Sequence, residues 1–395
     1  MKILNVTTGF YPATSWGGPV AVIYQNAVKL IEREHEVSVC TTNRFDKCNV
    51  IEPRTFTRDV QGIHVNYLRT FMFCKWPGIA GPFVVSLGGL KKLQRQIKIH
   101  DVVHIHALRT PLAILAIMLA RFYSKPIILQ PHGSVPLNGN SILIKKIFDR
   151  VLLRASFASI DTFIALTNQE KEDLYKKGAN VSKVEIVPNG MERSLETNSV
   201  SDWRLRKAFN ILAEDGVILS LGRLHKIKGI DFLIKAFAKL PRYLQENNWL
   251  VIAGPDGGQE RALRELSETL GIENRVIFTG SLNRQQVYAA YQDATIYVLP
   301  SRYDAFPMTI VEACNYGVPI IVSDKCGIAA EIDNIAGLGV PSGDPEALSN
   351  RIEMLLDDLE LSETLGQGGR QLAQNMFSSQ AIVDSLEQIY EHVTA

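Results

Sequence analysis

From Lys2 to Ser323, short apolar runs alternate with stretches of helical period, and the alternation breaks once, near mid-chain. The runs 2–7, 36–41, 63–68, 102–106, 127–130, 162–166 and 184–187 read as strands, with helical stretches at 20–33, 84–98, 111–123 and 142–156 between them. Strands that alternate with helices specify a parallel sheet built by crossovers. Val187-Pro-Asn-Gly-Met191 is a turn signal, and the polar stretch after it reads as a linker. The same grammar then resumes, with strands at 217–220, 249–253, 276–279, 295–299 and 320–323. Helices fall at 230–240, 259–270, 285–291 and 346–356, and an amphipathic pair at 361–375 and 380–392 closes the chain. A chain of 395 residues exceeds one ordinary core. The reading is therefore two α/β domains with a cleft between them: 1–191, a linker 192–202, 203–377, and a terminal segment 378–395.

Composition removes several function classes. Hydrophobic residues make up 46% and charged ones 21%, which fits a folded chain rather than a disordered one. A net charge of +1 gives no reason to expect nucleic acid. The five cysteines form no CxxC pair, so free thiols in a reducing cytoplasm are expected. MKILNVTTGFYP reads as strand then turn rather than as a signal peptide. No apolar run reaches the ~18 residues of a membrane span, so any membrane contact is expected to be peripheral.

Chemistry concentrates beyond the C-terminal ends of strands. In PSRYDAFPMTIVEACNYGVPIIVSD (300–324), Asp304 lies in a loop after a strand, Pro307 opens a helix, and Glu312 follows within it. Free N–H groups at a helix start suit phosphate. An acid/base pair and two separate contacts to one elongated ligand both fit the two carboxylates, and the loop-to-helix path favours the second. In SLGRLHKIKG (220–229), Arg223 and Lys228 follow a strand, as a diphosphate site requires; a solvated basic loop is the bland alternative. Gly17-Gly18-Pro19 lets backbone approach an anion at a helix start, or merely makes a tight turn. His104 and His106 share one side of a strand without an evident third metal ligand, so they are expected as hydrogen-bonded residues on the cleft floor. His132 sits in a glycine-containing loop after another strand. The glycines of 253–258 read as a scaffold turn.

Together these residues resemble the family 4 retaining glycosyltransferases, of GT-B architecture with two Rossmann-like domains facing across a cleft. The resemblance covers essentially the whole chain: Gly17-Gly18, the His132 loop, Pro188-Asn189-Gly190, GRLHKIKG, and the Asp304–Glu312 block. The family's mark is two glutamates separated by seven residues; here Asp304 replaces the first, one methylene shorter, and Asn-Gly-Met-Glu192 replaces the common Asn-Gly-Val-Asp. The resemblance implies that Arg223 and Lys228 neutralise the diphosphate of a UDP-, GDP- or ADP-sugar, helped by the N–H groups of Met308 and Thr309 beside Phe306 and Pro307. It also implies that Glu312 holds ribose hydroxyls, Asp304 sugar hydroxyls, that Gly18 faces the phosphate, and that His132 lies by the transferred sugar. No metal or cofactor is implied, and retention follows from same-face attack with the leaving phosphate taking the acceptor's proton. A C-terminal helix crossing back to the N-terminal domain belongs to the same pattern.

The acceptor is expected at the N-terminal half, as a glycan or lipid-linked molecule. Residues 142–156 place Lys146, Arg150 and Arg154 four apart with Lys145 beside them, and apolar residues fill much of the remainder. Peripheral contact with the inner face of the membrane and ordinary core packing both fit that pattern. The aromatic and basic stretch 71–98 is a second candidate. Two rivals keep parts of the reading: a sugar-nucleotide epimerase of the same fold, and a non-catalytic glycan- or nucleotide-binding protein.

Overall fold

A computed structural model describes every residue except 14–17, 47–48, 73–82, 107, 137–148, 150–153 and 192–202. Gly17, the linker and most of the basic segment 142–156 thus lie outside the described residues. The chain forms two compact units, Met1–Gly190 with Ser379–Ala395, and Met191–Ser378.

The first unit contains β1 (Lys2–Thr7), α1 (Gly18–Glu32), β2 (Glu36–Thr42), β3 (Phe56–Val60), β4 (Ile63–Leu68), β5 (Thr70–Met72), β6 (Phe83–Val85), α2 (Leu87–Ile99), β7 (Val102–Ile105), α3 (Pro111–Phe122), β8 (Ile127–Leu129), β9 (Thr162–Ala165), α4 (Asn168–Lys176) and β10 (Val184–Ile186). Its main sheet runs β10-β9-β8-β7-β1-β2-β4-β3. All pairs are parallel except β3 against β4. Helices cover both faces, which is why β7 to β9 are buried at every position and read as near-continuous apolar runs, broken only by His104 and Thr162. β3, FTRDV, is an exposed edge and carries no such run, so the sequence reading missed it. The helix expected from Val84 starts at Leu87 behind Ser86, whose hydroxyl accepts the Gly89 N–H, because 83–85 pairs with β5 instead.

The second unit contains β11 (Gly216–Leu221), α5 (Ile230–Lys239), β12 (Asn248–Ala253), α6 (Glu260–Thr269), β13 (Val276–Gly280), α7 (Arg284–Asp293), β14 (Ile296–Leu299), α8 (Met308–Tyr316), β15 (Ile320–Ser323), β16 (Gly337–Val340), α9 (Pro345–Asp357) and α10 (Leu359–Asn375). Its sheet is wholly parallel, in the order β13-β12-β11-β14-β15-β16. β16, Gly-Leu-Gly-Val, has little strand propensity. It forms because Gly337 lets the backbone approach β15, where a Cβ would stand 2.0 Å from the Ile320 carbonyl oxygen.

The last helix, α11 (Ser379–Thr394), belongs to the first unit. Ile382, Val383, Leu386 and Tyr390 join the core made by Ile3, Ile23, Val39 and Ile128. Arg33 forks onto this helix, meeting Asp384 at 2.5 Å and Glu387 alongside, while His35 meets Glu387 at 2.8 Å. No helix among the described residues is long and apolar enough to cross a membrane.

Candidate active site

Strand order in the second sheet reverses at β11, which has β12 on one side and β14 on the other. In open α/β sheets the crevice beyond the carboxyl ends of two such strands takes ligands. Residues 222–229 follow β11 and residues 300–307 follow β14, and these two loops are stitched together. The Arg302 N–H donates to the Ile227 carbonyl at 2.7 Å, and its guanidinium forks onto both oxygens of Asp231 at 2.7 Å each. That guanidinium also stacks over Phe232, 3.9 Å from the ring centre. Gly229 permits the approach, since its φ is +67° and a Cβ would stand 2.1 Å from the Pro300 carbonyl oxygen. Gly229→Ala is expected to cost about 2–4 kcal/mol of stability, from left-handed backbone strain and the clash together. A urea midpoint equal to that of the parent protein would show that the loops part freely.

Across the two loops, Lys228 Nζ meets Asp304 Oδ2 at 2.6 Å, with both side chains partly open to solvent. One ammonium proton serves this bond, leaving two for other acceptors. The Lys228 stem crosses Gly222, passing 3.6 Å from where a Cβ would be, and Arg223, the next residue of that loop, is exposed. The glycine turn after β12 packs beneath the same loop. A Cβ on Gly254 would lie 2.0 Å from the Gly222 carbonyl oxygen, and one on Gly257 would lie 2.9 Å from Arg223 Cγ.

Helix α8 begins behind Pro307, which occupies the cap position rather than the first helical one, and no side chain caps this end. Its first-turn N–H groups, those of Met308 and Thr309, are orphans of the helix geometry. Phe306 is buried edge-on against Phe377, 6.0 Å between ring centres, and supports the loop from below. Glu312 is half-buried one turn along, with Oε2 at 2.9 Å from the Tyr291 hydroxyl. The Thr309 carbonyl lies at the same 2.9 Å distance, so the single Tyr291 proton serves one or the other. Burial raises the Glu312 carboxyl above its ordinary range, opposed by the Tyr291 bond and the charge of Arg284.

In the first unit the order reverses between β1 and β7. His106, just past β7, meets Asn5 Oδ1 through Nε2 at 2.8 Å, the amide oxygen accepting, and meets His132 Nε2 through Nδ1 at 3.0 Å. His104 stacks on His106 with centroids 3.9 Å apart and meets the Tyr390 hydroxyl of α11 at 2.9 Å. His104 is therefore core, buried under the terminal helix, and does not line an open floor as expected from sequence. Burial holds His104 down to about 3 and His132 to about 4, with His106 well below the usual imidazole value. The histidine-bearing loop is gripped from two sides. Glu170 accepts the Gly133 N–H at 2.6 Å and the Leu166 N–H at 2.8 Å, while Arg109 donates to the Val135 carbonyl at 2.7 Å and pairs with Asp149.

Residues 201–372 match the family described as Glycosyl transferases group 1, and residues 16–195 match Glycosyltransferase Family 4. The chain belongs to the family 4 glycosyltransferases. Among its relatives, alpha-D-kanosaminyltransferase of Streptomyces kanamyceticus is 25% identical over 79% of this chain and 82% of its own. N-acetyl-alpha-D-glucosaminyl L-malate synthase of Bacillus anthracis is 24% identical over 99% of this chain and 97% of its own. Matches to D-inositol 3-phosphate glycosyltransferases span 56–58% of those proteins. Anabaena HepE, solved in complex with UDP, superposes with a TM-score of 0.75 at 19% identity, covering 99% of this chain and 100% of that one. The shared fold is GT-B.

Within this glycosyltransferase, Arg223, Lys228, Asp304, Phe306, Pro307, Met308, Thr309 and Glu312 all fall on the two loops and the helix start of the second unit. Gly18 is the first residue of α1, with no atom of the described residues within 4 Å of where a Cβ would be, and His132 lies in the first unit. Sequence reasoning missed Tyr291, the Arg302–Asp231 fork, Asn5 and Glu170. Each partner is distant in sequence, and no spacing rule links Tyr291 to Glu312 or Asn5 to His106. A cavity of about 620 Å³ lies elsewhere, at the amino ends of β14 and β15, lined by Tyr288, Tyr316, Pro319 and Arg370. It contains none of the candidate residues except through Tyr291, which reaches from its wall to Glu312.

Proposed function

We propose that this glycosyltransferase moves a hexosyl unit from a UDP-, GDP- or ADP-sugar to a glycan or lipid-linked acceptor, with retention of anomeric configuration and without a metal or cofactor. The product belongs to polysaccharide, lipopolysaccharide or glycolipid synthesis, carried out in the cytoplasm. The observation that supports this most is the Lys228–Asp304 pair joining the loops that follow β11 and β14, which also carry Arg223 and lead into the uncapped start of α8, at the strand-order reversal. A departing nucleoside diphosphate gathers negative charge, and fixed cations with oriented N–H groups stabilise that charge as it develops. Asp304 then takes sugar hydroxyls and Glu312 the ribose diol. Attack occurs from the face the diphosphate leaves, and a phosphate oxygen accepts the acceptor's proton. The relatives named above are transferases and a synthase, which lends the epimerase alternative no support.

A thermal-shift panel of UDP-, GDP- and ADP-sugars tests the reading. A donor present at 100 times its Kd is expected to stabilise the protein by about 2.7 kcal/mol. Silence across the whole panel would defeat it. Glu312→Ala is expected to weaken nucleotide binding about 10–100-fold, the loss of a charged hydrogen bond of ~1.5–3 kcal/mol; an unchanged affinity would mean that the ribose is held elsewhere. Segment 142–156 is proposed to touch an anionic inner leaflet. Changing Lys145 and Lys146 together to Gln should reduce pelleting with phosphatidylglycerol vesicles and leave donor binding intact, and equal pelleting would dismiss that contact.

A further inference from the structure

Tyr291, in the last turn of α7, is wholly buried, and the transfer chemistry above gives it no part. A buried phenol needs a partner for its hydroxyl, and this one has two acceptors at 2.9 Å, Glu312 Oε2 and the Thr309 carbonyl. The Thr309 carbonyl lies within α8, where helix geometry gives it the Ala313 N–H. A charge-assisted bond is the stronger of the two, so the phenol proton goes to the carboxylate. The ring is fixed as well, lying 9° from parallel to Tyr316 with centroids 5.7 Å apart. The hydroxyl thus has a set direction. Glu312 in turn divides its oxygens between two surroundings. Oε2 faces Tyr291, while Oε1 has no hydrogen-bond partner among the described residues and is open to solvent. A glutamate without such a tether loses rotamer freedom when it takes a ligand, and that loss is subtracted from affinity.

We infer that Tyr291 is a positioning residue for the donor: its hydroxyl fixes Glu312 Oε2 so that Oε1 is presented to the ribose diol of the nucleotide. This rests on the transferase reading, in which Glu312 takes that diol. The tyrosine also explains how a half-buried carboxylate stays ionised. Burial raises the Glu312 carboxyl, and the Tyr291 bond and the charge of Arg284 oppose that rise. The groups facing Glu312 are these two of α7 and Tyr297 of β14. Helix α10 brings Arg370 to the Tyr316 carbonyl, at the far end of α8, and β15 carries no charged residue. Loss of the phenol hydroxyl should therefore raise the carboxyl further.

Calorimetry on the full chain tests this with UDP, GDP and ADP and, for the one that binds, with its analogue lacking both ribose hydroxyls. The parent protein should prefer the ribose form by about 10–100-fold, the size of a charged hydrogen bond. In Tyr291→Phe, which keeps the ring beside Tyr316, that preference should shrink by about 2–10-fold while the analogue binds as before. A merely structural tyrosine would weaken both forms alike, and an unchanged ratio overturns the inference. The preference should also fade as pH is lowered through the Glu312 value, and the fade should begin at a higher pH in Tyr291→Phe. The same fade in both proteins would count equally against the inference. Should Tyr291→Phe fail to fold, spectra of the full chain carrying carbon-13 at the tyrosine ζ position decide. The Tyr291 signal should move as Glu312 takes up its proton and hold still in Glu312→Gln; a signal indifferent to that titration overturns the inference. Failure of the underlying reading is visible separately, as a parent protein that binds no nucleotide or does not distinguish the two forms, which removes the ribose assignment and the inference with it.

Discussion

Alanine at Lys228 is expected to slow transfer from the preferred donor by about 100–1,000-fold, and alanine at Arg223 by a comparable factor, since on the proposed reading each removes a cation aimed at developing phosphate charge. The two losses differ in origin. Arg223 is exposed and its removal takes away charge alone. Lys228 also holds the Asp304 carboxylate at 2.6 Å, so its removal frees a group assigned to the sugar. Lys228→Ala should therefore raise KM for the donor as well as lowering kcat, and Asp304→Asn should be strongly non-additive with it. Contacts of this kind typically couple by about 0.5–3 kcal/mol. Steady-state rates for the two singles and the double decide the matter. Near-normal turnover in both Arg223→Ala and Lys228→Ala would remove the phosphate assignment.

Acid is expected to unfold the first unit well above the pH at which ordinary carboxylates titrate. His104 and His106 are buried, and burial lowers the first to about 3 and the second well below the unfolded value of 6.5. A depressed folded-state value means that the unfolded chain takes up protons first. Their stabilising contribution is thus complete above pH 6.5 and is lost as pH falls toward the folded values. Glu170 acts in the opposite sense, because burial raises it to about 7 and protonation relieves that cost as pH falls toward 4.5. The histidines outnumber it. With His132, which burial lowers to about 4, three histidines stand against one glutamate, so the net loss between pH 6 and 5 is expected to be about 2–3 kcal/mol per pH unit, at ~1.4 kcal/mol for each uncompensated proton. Urea midpoints at pH 7.5, 6 and 5 should fall accordingly, and His104→Asn should flatten the trend. A midpoint constant across this range would contradict the burial of the histidine stack.

The periodic signals carried most of the architecture. Buried parallel strands are apolar along their whole length and helices repeat every 3.6 residues, so β7, β8, β9, β11, β12, β14 and β15 are legible in the sequence itself. Strands whose stability comes from their neighbours are not. β3 is a polar edge held by β4, and β16 is half glycine and held by close approach to β15. The same division runs through the site. Residues placed by local chain direction, such as Arg223 after β11, Asp304 after β14 and the open start of α8, can be named from the sequence because a strand end and a helix start are local events. Their partners cannot.

The chain's own order of residues settled the α/β class, the family, and which loops carry charge. That follows because period, turn chemistry and motif spacing act over a few residues at a time. Only the folded chain decided that Lys228 meets Asp304, that Tyr291 meets Glu312, and that Asn5 meets His106. Those pairings join residues 76, 21 and 101 positions apart, brought together by strand order and crossover direction. No local pattern encodes such distances, because they are properties of the sheet rather than of any segment in it.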